Sequence, residues 1–491
     1  FEVMEALYDN QSVCQVIPEA GQRHMEESYP KTGTKEEIIE WKRTATLLHS
    51  ENVRRKTKRI QFAQLMWMTR KFKDEKAIYF PHTLDFRGRM YANTAFLNPQ
   101  GEDTAKGLLE FSTGKAMGAS GLAWLKVHIS NSWGFDKASL EDRVEWTDDN
   151  EEMIMRVGID PLASREWMEA DKPWQFLRSC FEYVCCNNNE DYVSHLPVTV
   201  DGSCNGLQHF SAMLRDDIGG AATNLINHEQ PEDIYEIVRR EAENGMVLDN
   251  NPEFNIWGSG GCLSRALVKR PVMTTPYGAT LYGMRDQIHE ELKKQLDKGV
   301  VFPGIDSSSD MWPHCKYLAF HIYEAIGRVV ISSRLGMKWL QDVAKASNKL
   351  KRPIYWTLPT GFVVKQKYIR SIVKEIKTII NGRMASLYAG SSDAEKMHSF
   401  RQVNGIAPNF VHSLDACHLM KTIVSARDNH GIESFAVVHD SFGTHACDIE
   451  QLGMVLRETF VDMYKEDILK KFMEEQGDLE LPSLPEYGKL N

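Results

Sequence analysis

Apolar positions change their period several times along the chain, and each change predicts an element. Between 36 and 72, Ile38, Ile39 and Trp41, then Phe62, Leu65, Met66 and Met68, recur at helical spacing with charges between them, which predicts long helices. "AIYFPHTLDFRGRMYANTAF" (77–96) switches to alternation: Asp85, Arg87, Arg89 and Tyr91 stand against Phe86, Gly88 and Met90, as the two faces of a strand would. "LNPQGED" reads as a loop, and 104–190 as mainly helical with breaks at Gly and Pro. A helix should follow "TVDGSCNG", with Leu207, Phe210 and Leu214 on one side. Another is expected over 231–245, opened by Pro231 and closed by Gly245. "PIYWTLPTGFVVKQ" (353–366) holds two β-rich runs around Pro-Thr-Gly, a hairpin pattern. There is no internal repeat or low-complexity tract. The sum is an α+β fold, mainly helical, with a small antiparallel sheet.

Composition changes this picture in three ways. A chain of 491 residues, 42% hydrophobic, can bury a large core, and its length suggests two to four domains. No run approaches about 18 uncharged apolar residues, so no membrane span is expected. The nine cysteines form no CxxC pair and no metal-ligand spacing, and read as reduced thiols that mostly fill the core of a cytosolic protein. The first residue is Phe1, without an initiator Met or a signal-like segment, so the chain is expected to be part of a longer one. A net charge of −10 argues weakly against a nucleic-acid partner, but the charge is segregated. "WKRTATLLHSENVRRKTKRI" (41–60) carries seven Lys/Arg against one Glu, whereas the stretch after Asp448 is acidic. Taken alone the basic run is a solvated helix face; a locally basic surface on an acidic protein can still track phosphates.

Two apolar runs end on an acid: "LPVTVDGSCNG" (196–206) on Asp201 and "SFAVVHDSFG" (434–443) on Asp440. Each alone reads more simply, Asp201 as a turn residue and Asp440 as a helix cap. As a pair at strand ends, half desolvated, they would repel unless a cation lay between them. Mg²⁺ suits that place, because it takes oxygen ligands and keeps waters and substrate phosphates in its shell. Two such ions about 3.5–4 Å apart serve an in-line phosphoryl displacement. A hydrolytic triad spelled by His439, Asp440 and Ser441 fails on strand geometry, since the acid would face away from the histidine. "GSCNG" also lacks the spacing of a nucleophile elbow.

"SRALVKRPVMTTPYGAT" (264–280) steps Arg265, Lys269 and Met273 by four, along one helical face, and ends with Tyr277 beside Gly278. Seen blind this is an ordinary basic helix face. Two cations one turn apart, on a helix that closes on an aromatic ring, would also suit a triphosphate and a stacked base. Pro271 should kink or re-nucleate the helix near Lys269.

These segments carry a family resemblance. "DGSCNGLQHFSAMLRDDIGGAATNL" (201–225), R-x3-K-x7-YG (265–278) and "GIAPNFVHSLDACHL…SFAVVHDSFG" (405–443) resemble, in order, motifs A, B and C of the phage-type single-subunit DNA-dependent RNA polymerases. "FPHTLDFRGRMYANTAFLNPQGEDTAKGLL" (80–109) resembles that family's segment before the palm, and the likeness runs from about residue 36 to the last. The resemblance implies the right-hand architecture of palm, fingers and thumb with a small antiparallel palm sheet. It divides the chain into 1–75 (end of an N-terminal region and thumb, with the basic run against the nucleic-acid backbone), 76–230 (palm with an inserted helical segment and motif A), 231–400 (fingers with motif B and a specificity hairpin) and 401–491 (return to the palm with motif C and a truncated C-terminal region).

It also implies roles. Asp201 and Asp440 match the metal-binding catalytic aspartates, and Gly202 would lend its carbonyl. Lys269 matches the lysine that faces the nucleotide's phosphates and acts as general acid toward pyrophosphate, and Arg265 matches a triphosphate contact. Tyr277 matches the tyrosine that closes the site and favours ribose, His412 a residue close to the ribose 2′-hydroxyl, with Met273 and Gly278 completing the nucleotide set. Arg87, Arg89 and Lys106 would hold template and transcript. The implied cofactor is two Mg²⁺ ions, with Mn²⁺ able to substitute. The implied partners are a DNA template, an RNA transcript and ribonucleoside triphosphates, with no membrane and a monomeric chain. "HFSAMLRDD" leans toward a phage rather than a mitochondrial origin, hence the cytoplasm of an infected bacterium.

Departures from the pattern bear on the expectation. The family's N-terminal domain is absent from these residues, and "LPSLPEYGKLN" stops short of its aromatic C-terminal tail; a chain truly lacking both should elongate poorly or fail to start, so both parts are expected to have been omitted or lost from this sequence. "YIRSIVKEIKTIINGRMASLYAG" (368–390) lies where a promoter-reading hairpin would be but shares little with base-reading residues, so no promoter sequence follows. An A-family DNA polymerase would resemble D-Y-S-Q-I-E and H-D-E at the two acids; "DGSCNG" and "HDS" leave room for ribose instead. A catalytically silent nucleic-acid-binding fragment is the third class weighed, and Asp201, Lys269, Tyr277 and Asp440 argue against it.

Overall fold

The periodic stretches become helices in the computed structural model, which describes residues 1–10, 14–25, 28–187, 189, 191–228, 231–249, 251–258, 262–305, 310–477 and 479–490. The chain divides into two units: Phe1–Thr83, Tyr91–Val200 and His430–Gly453 form the first, and Leu84–Met90, Asp201–Asn429 and Met454–Asn491 the second.

In the first unit, the periodic stretch before residue 72 is one helix of 38 residues, Lys35–Phe72. A capping box starts it: Thr34 Oγ1 accepts from the Glu37 amide and Glu37 accepts from the Thr34 amide. Ile39, Leu47, Val53, Ile60 and Trp67 on it remain exposed. Helices Gly118–Trp133, Leu140–Asp149, Glu151–Ile159 and Pro173–Cys186 follow. They bury Leu125, Ile129, Trp167 and Phe176, with Trp133 against Phe176 (5.1 Å between ring centres) and Trp167 against Trp174 (5.0 Å). Two short strand pairs complete the unit: Lys115–Ala116 antiparallel to Val193–Ser194, and Pro197–Asp201 beside Ser441–His445.

The second unit holds two cores. Trp257, Leu267, Val272, Ile288, Leu318 and Ile322 form one; Phe210, Trp339, Trp356, Phe410 and Phe472 anchor the other. The expected helix after "DGSCNG" runs Asn205–Leu214 and buries Leu207, Phe210 and Leu214. The expected hairpin at 353–366 forms from Ile354–Thr357 antiparallel to Val363–Gln366. Gly361 takes φ +84° in its turn, a conformation other residues adopt only at a cost.

Three readings of the sequence are corrected. The helix expected to end at Gly245 spans Ile234–Asp249, because Ile234, Val238, Ala242 and Met246 step by four into the core. Gly245 lies inside it, where a Cβ would meet Arg328 Nη2 at 3.2 Å and His321 Nδ1 at 3.3 Å, so the position answers to packing and not to an end. The alternation at 85–91 is not one strand: His82–Leu84 and Met90–Ala92 pair, and Asp85–Arg89 is the turn between them, with Gly88 at φ +91°. Pro271 does not re-nucleate its helix, which runs from Arg265 to Thr274 with the proline inside it. Residues 366–400 form a long exposed hairpin, Ile369–Ile380 antiparallel to Arg383–Met397, closed by Asn381-Gly382 with φ +51° and +75°. Asn-Gly is a strong short hairpin signal, and the sequence reading, which placed a hairpin here by resemblance, did not use it. All nine cysteines are free thiols, and Cys180, Cys186, Cys315 and Cys417 are buried. Among the described residues no helix is long and apolar enough to cross a membrane.

Candidate active site

In the second unit the site grows from a five-residue turn. Asp85 Oδ1 accepts the amides of Arg87 (2.9 Å) and Arg89 (3.1 Å), while Oδ2 accepts Arg87 Nε (2.9 Å) and Nη2 (2.6 Å). The carboxylate thus folds the turn and aims both arginines. Arg87 Nη1 reaches His412 Nδ1 at 2.8 Å. Arg89 Nε donates to Asp415 Oδ1 at 3.0 Å, with Nη2 on the other oxygen. His412 and Asp415 lie three positions apart on the helix Ser399–His430, so they present to one face of it. The same helix is locked from elsewhere: Ser413 Oγ accepts from Trp356 Nε1 (2.9 Å), and Asn409 Nδ2 donates to Gln366 Oε1 (2.8 Å) and to the Tyr368 hydroxyl (2.9 Å).

The His412 ring packs on Tyr277, 4.5 Å between centres and tilted by 31°. Tyr277 closes a short 3-10 turn after the Arg265–Thr274 helix, and Gly278 ends it at φ +82°, its amide on the Thr275 carbonyl. Gly206 makes room beneath: a Cβ there would lie 2.8 Å from Pro276 Cβ and 3.0 Å from the Tyr277 hydroxyl. On the same helix Leu267, Val268, Pro271 and Val272 are buried, which turns Lys269 and Met273 outward. Arg265 pairs with Asp233, and its guanidinium lies 4.7 Å over the Tyr235 ring. Burial, and after it Cys204, push the Tyr235 phenol well above its ordinary range. Gly202 is exposed, and a Cβ on it would meet Gln208 Oε1 at 3.2 Å.

In the first unit Asp440 lies on a two-residue turn. Val438 and Ser441 exchange both backbone hydrogen bonds (2.9 Å each), Ala436 N donates to Gly443 O (2.9 Å), and His439 takes φ +56°. His439 and Asp440 are therefore the two central residues of a tight hairpin, and the strand alternation expected for His439, Asp440 and Ser441 does not apply. The strained His439 packs edge-on to Tyr91, 5.1 Å between ring centres. Gly443 permits the close approach behind it: a Cβ would lie 2.8 Å from both the Ala436 carbonyl and Thr199 Cγ2. Asp440 is half-buried; Asp201, the last residue of its strand and the first of its segment in the second unit, is exposed rather than half desolvated. Lys106 lies in this unit on the helix Asp103–Leu108. Burial lowers the His445 pKa, opposed by the Thr113 carbonyl, which receives its Nε2 at 2.9 Å.

The structure thus brings together Arg87, His412 and Tyr277 among the expected residues, and sets Lys269 and Met273 on one outward helix face. The sequence reading missed Asp85, Gly206 and Asp415. Asp85 had a signal, an acid opening a turn that closes on Gly-Arg, and Asp415 had its three-residue spacing from His412. Gly206 had none.

Asp201 in the second unit and Asp440 in the first each carry carboxylate oxygens, the donor type a hard divalent cation takes; among the described residues no three or more His, Cys, Asp or Glu side chains form a metal-holding group.

Residues 115–480 match the family model of DNA-dependent RNA polymerase. The chain is 36% identical to T7 RNA polymerase of Escherichia phage T7, across 93% of its own length and 57% of that protein's. It is 37% identical to DNA-directed RNA polymerase 1B, mitochondrial, of Nicotiana tabacum (94% and 46%), and 35% identical to the DNA-directed RNA polymerase of Enterobacteria phage T3 (92% and 56%). The chain spans about half the length of these relatives.

Proposed function

The chain belongs to the phage-type single-subunit DNA-dependent RNA polymerase family, and from that premise we propose that it adds ribonucleoside monophosphates to an RNA 3′-hydroxyl on a DNA template, releasing pyrophosphate. The observation that carries this reading is the packing of His412 on Tyr277 at the end of a helix whose outward face bears Lys269. That is a place for a nucleotide with its phosphates along the helix and its sugar at the two rings.

In this reading the palm, fingers and thumb follow the division given by the sequence. Asp201, Asp440 and the Gly202 carbonyl would hold two divalent ions, Mg²⁺ by preference. When bound, such ions activate the attacking hydroxyl and stabilise the leaving oxygen. The chain's own residues do the rest. Lys269 neutralises phosphate charge and delivers a proton to the departing pyrophosphate. Arg265 exchanges its Asp233 partner for the triphosphate. Tyr277 and His412 bound the sugar, Met273 and Gly278 shape the wall around it, and Arg89 and Lys106 stand on the template and transcript side.

The test is extension of a labelled RNA primer annealed to DNA, with ribonucleotides or deoxyribonucleotides and Mg²⁺. Ribonucleotide addition is expected. No addition with either sugar, or preference for deoxyribonucleotides, would overturn the reading.

A further inference from the structure

We propose that Arg87 is a positioning residue that fixes the tautomer of His412. A guanidinium donates and never accepts, so a contact of 2.8 Å from Arg87 Nη1 makes His412 Nδ1 an acceptor with its lone pair free of hydrogen. The imidazole is then neutral, and its proton sits on Nε2, the nitrogen on the far side of the ring. Arg87 cannot turn away easily, because Asp85 binds its Nε and Nη2 and also its amide, and the acid holds the next cation's amide as well. On the helix side, the turn is clamped a second time three residues on, where Arg89 meets Asp415. The ring plane is set by Tyr277 at 4.5 Å. Tautomer, position and plane of one histidine are therefore fixed by three different parts of the chain.

The chemical consequence is a directed donor. With Nδ1 occupied from behind, His412 offers an N–H from Nε2 and refuses a hydrogen-bond donor there. The ligand it suits is an acceptor oxygen. On the polymerase reading, on which this consequence for sugar choice rests, that oxygen is the ribose 2′-hydroxyl, which a deoxyribose lacks. Arg87 then acts on sugar selection through His412 and not by touching the sugar. A site built to bond a hydroxyl discriminates well against the analogue without it, because the donor is left unpaired.

Two measurements decide the matter. In the whole chain labelled with ¹⁵N-histidine, with His412 assigned by its loss in H412Q, the ring should show a protonated Nε2 and an unprotonated Nδ1 at neutral pH. A proton on Nδ1 overturns the proposal. In primer extension, R87M should lower the ribose-over-deoxyribose ratio of kcat/KM by about tenfold, R87Q, which keeps an N–H donor, should retain more of it, and R87M in the H412Q background should change it little further. Equal loss on both sugars with an unchanged ratio, or full additivity of R87M and H412Q, would show a merely structural role. A chain inactive with both sugars whose His412 is nonetheless protonated on Nε2 would sink the polymerase reading while supporting the tautomer assignment.

Discussion

At the scale of single residues the site is built by what is left out as much as by what is placed. Gly206 lies inside the helix Asn205–Leu214, where alanine would ordinarily gain up to about 1 kcal/mol from helix propensity. Against this, its Cβ would press on Pro276 at 2.8 Å, and overpacking costs about 1–3 kcal/mol. The crowding should win. Gly206→Ala is expected to lower the urea midpoint and to weaken ribose selection by displacing the Tyr277 hydroxyl. Gly283→Ala, with nothing nearer than Thr280 Oγ1 at 3.6 Å, should raise the midpoint instead. The reverse order would refute the steric account. Asp440→Asn is a near-isosteric change on a turn that asparagine tolerates, so the fold should persist. On the proposed reading the change removes a metal ligand and with it several kcal/mol of transition-state stabilisation, so primer extension should drop more than about a hundredfold while primer–template binding, followed by gel shift, stays within a few-fold. The two acids, Lys269 and Tyr277 could be singled out as candidates in the sequence because each closes a local pattern. Gly206 was not, because its constraint comes from Pro276 and Tyr277, which only tertiary packing brings over it.

Elements are held in register by polar contacts that no local pattern reveals. The turn 85–89 meets the helix Ser399–His430 through partners 325 and 326 positions away, Arg87 on His412 and Arg89 on Asp415. The Asp415 side chain is only 1% exposed and that of Arg89 13%, so the acid is buried and the arginine largely covered. Removing one member of such a pair strands a charge and costs about 3–5 kcal/mol, a large part of an ordinary domain's stability. Arg89→Met should therefore shift the urea transition strongly downward, read by tryptophan fluorescence. Arg89→Met combined with Asp415→Leu should recover most of the loss, because an apolar pair of similar volume leaves no buried charge. A double variant as weak as the single one would show that the arginine's role is not charge compensation. This explains why alternation misled at 85–91: the charged residues there answer to distant partners and to the φ +91° of Gly88, not to the two faces of a strand. The helix boundary near 245 was misread for the related reason that a glycine can mark a crowded contact as well as an end.

Across the second unit, three segments remote in sequence converge on buried imidazoles. His209 comes from the helix after Asp201, His418 from the long helix that carries His412, and Tyr464 and Phe460 from the C-terminal part. The Tyr464 hydroxyl contacts His209 Nδ1, and His418 Nε2 donates to the Leu456 carbonyl at 2.9 Å. Burial holds His209 well below its ordinary range, and the Arg89 charge lowers it further; burial likewise lowers His418 to about 4, against the pull of the Leu456 carbonyl. An unfolded histidine takes its proton near 6.5, whereas these rings stay neutral in the folded chain, so between about pH 4 and 6.5 the unfolded state binds more protons. Stability therefore rises with pH through that window, is fully present above about 6.5, and is lost on acidification. For His418 alone, going from about pH 7.5 to about pH 5 should cost on the order of 2 kcal/mol. His418→Asn removes the titration while keeping a donor within reach of Leu456, so its melting temperature should fall less over that interval than that of the unaltered chain. Parallel pH profiles for the two proteins would mean that carboxylates alone set the acid sensitivity and that these histidines are not held neutral.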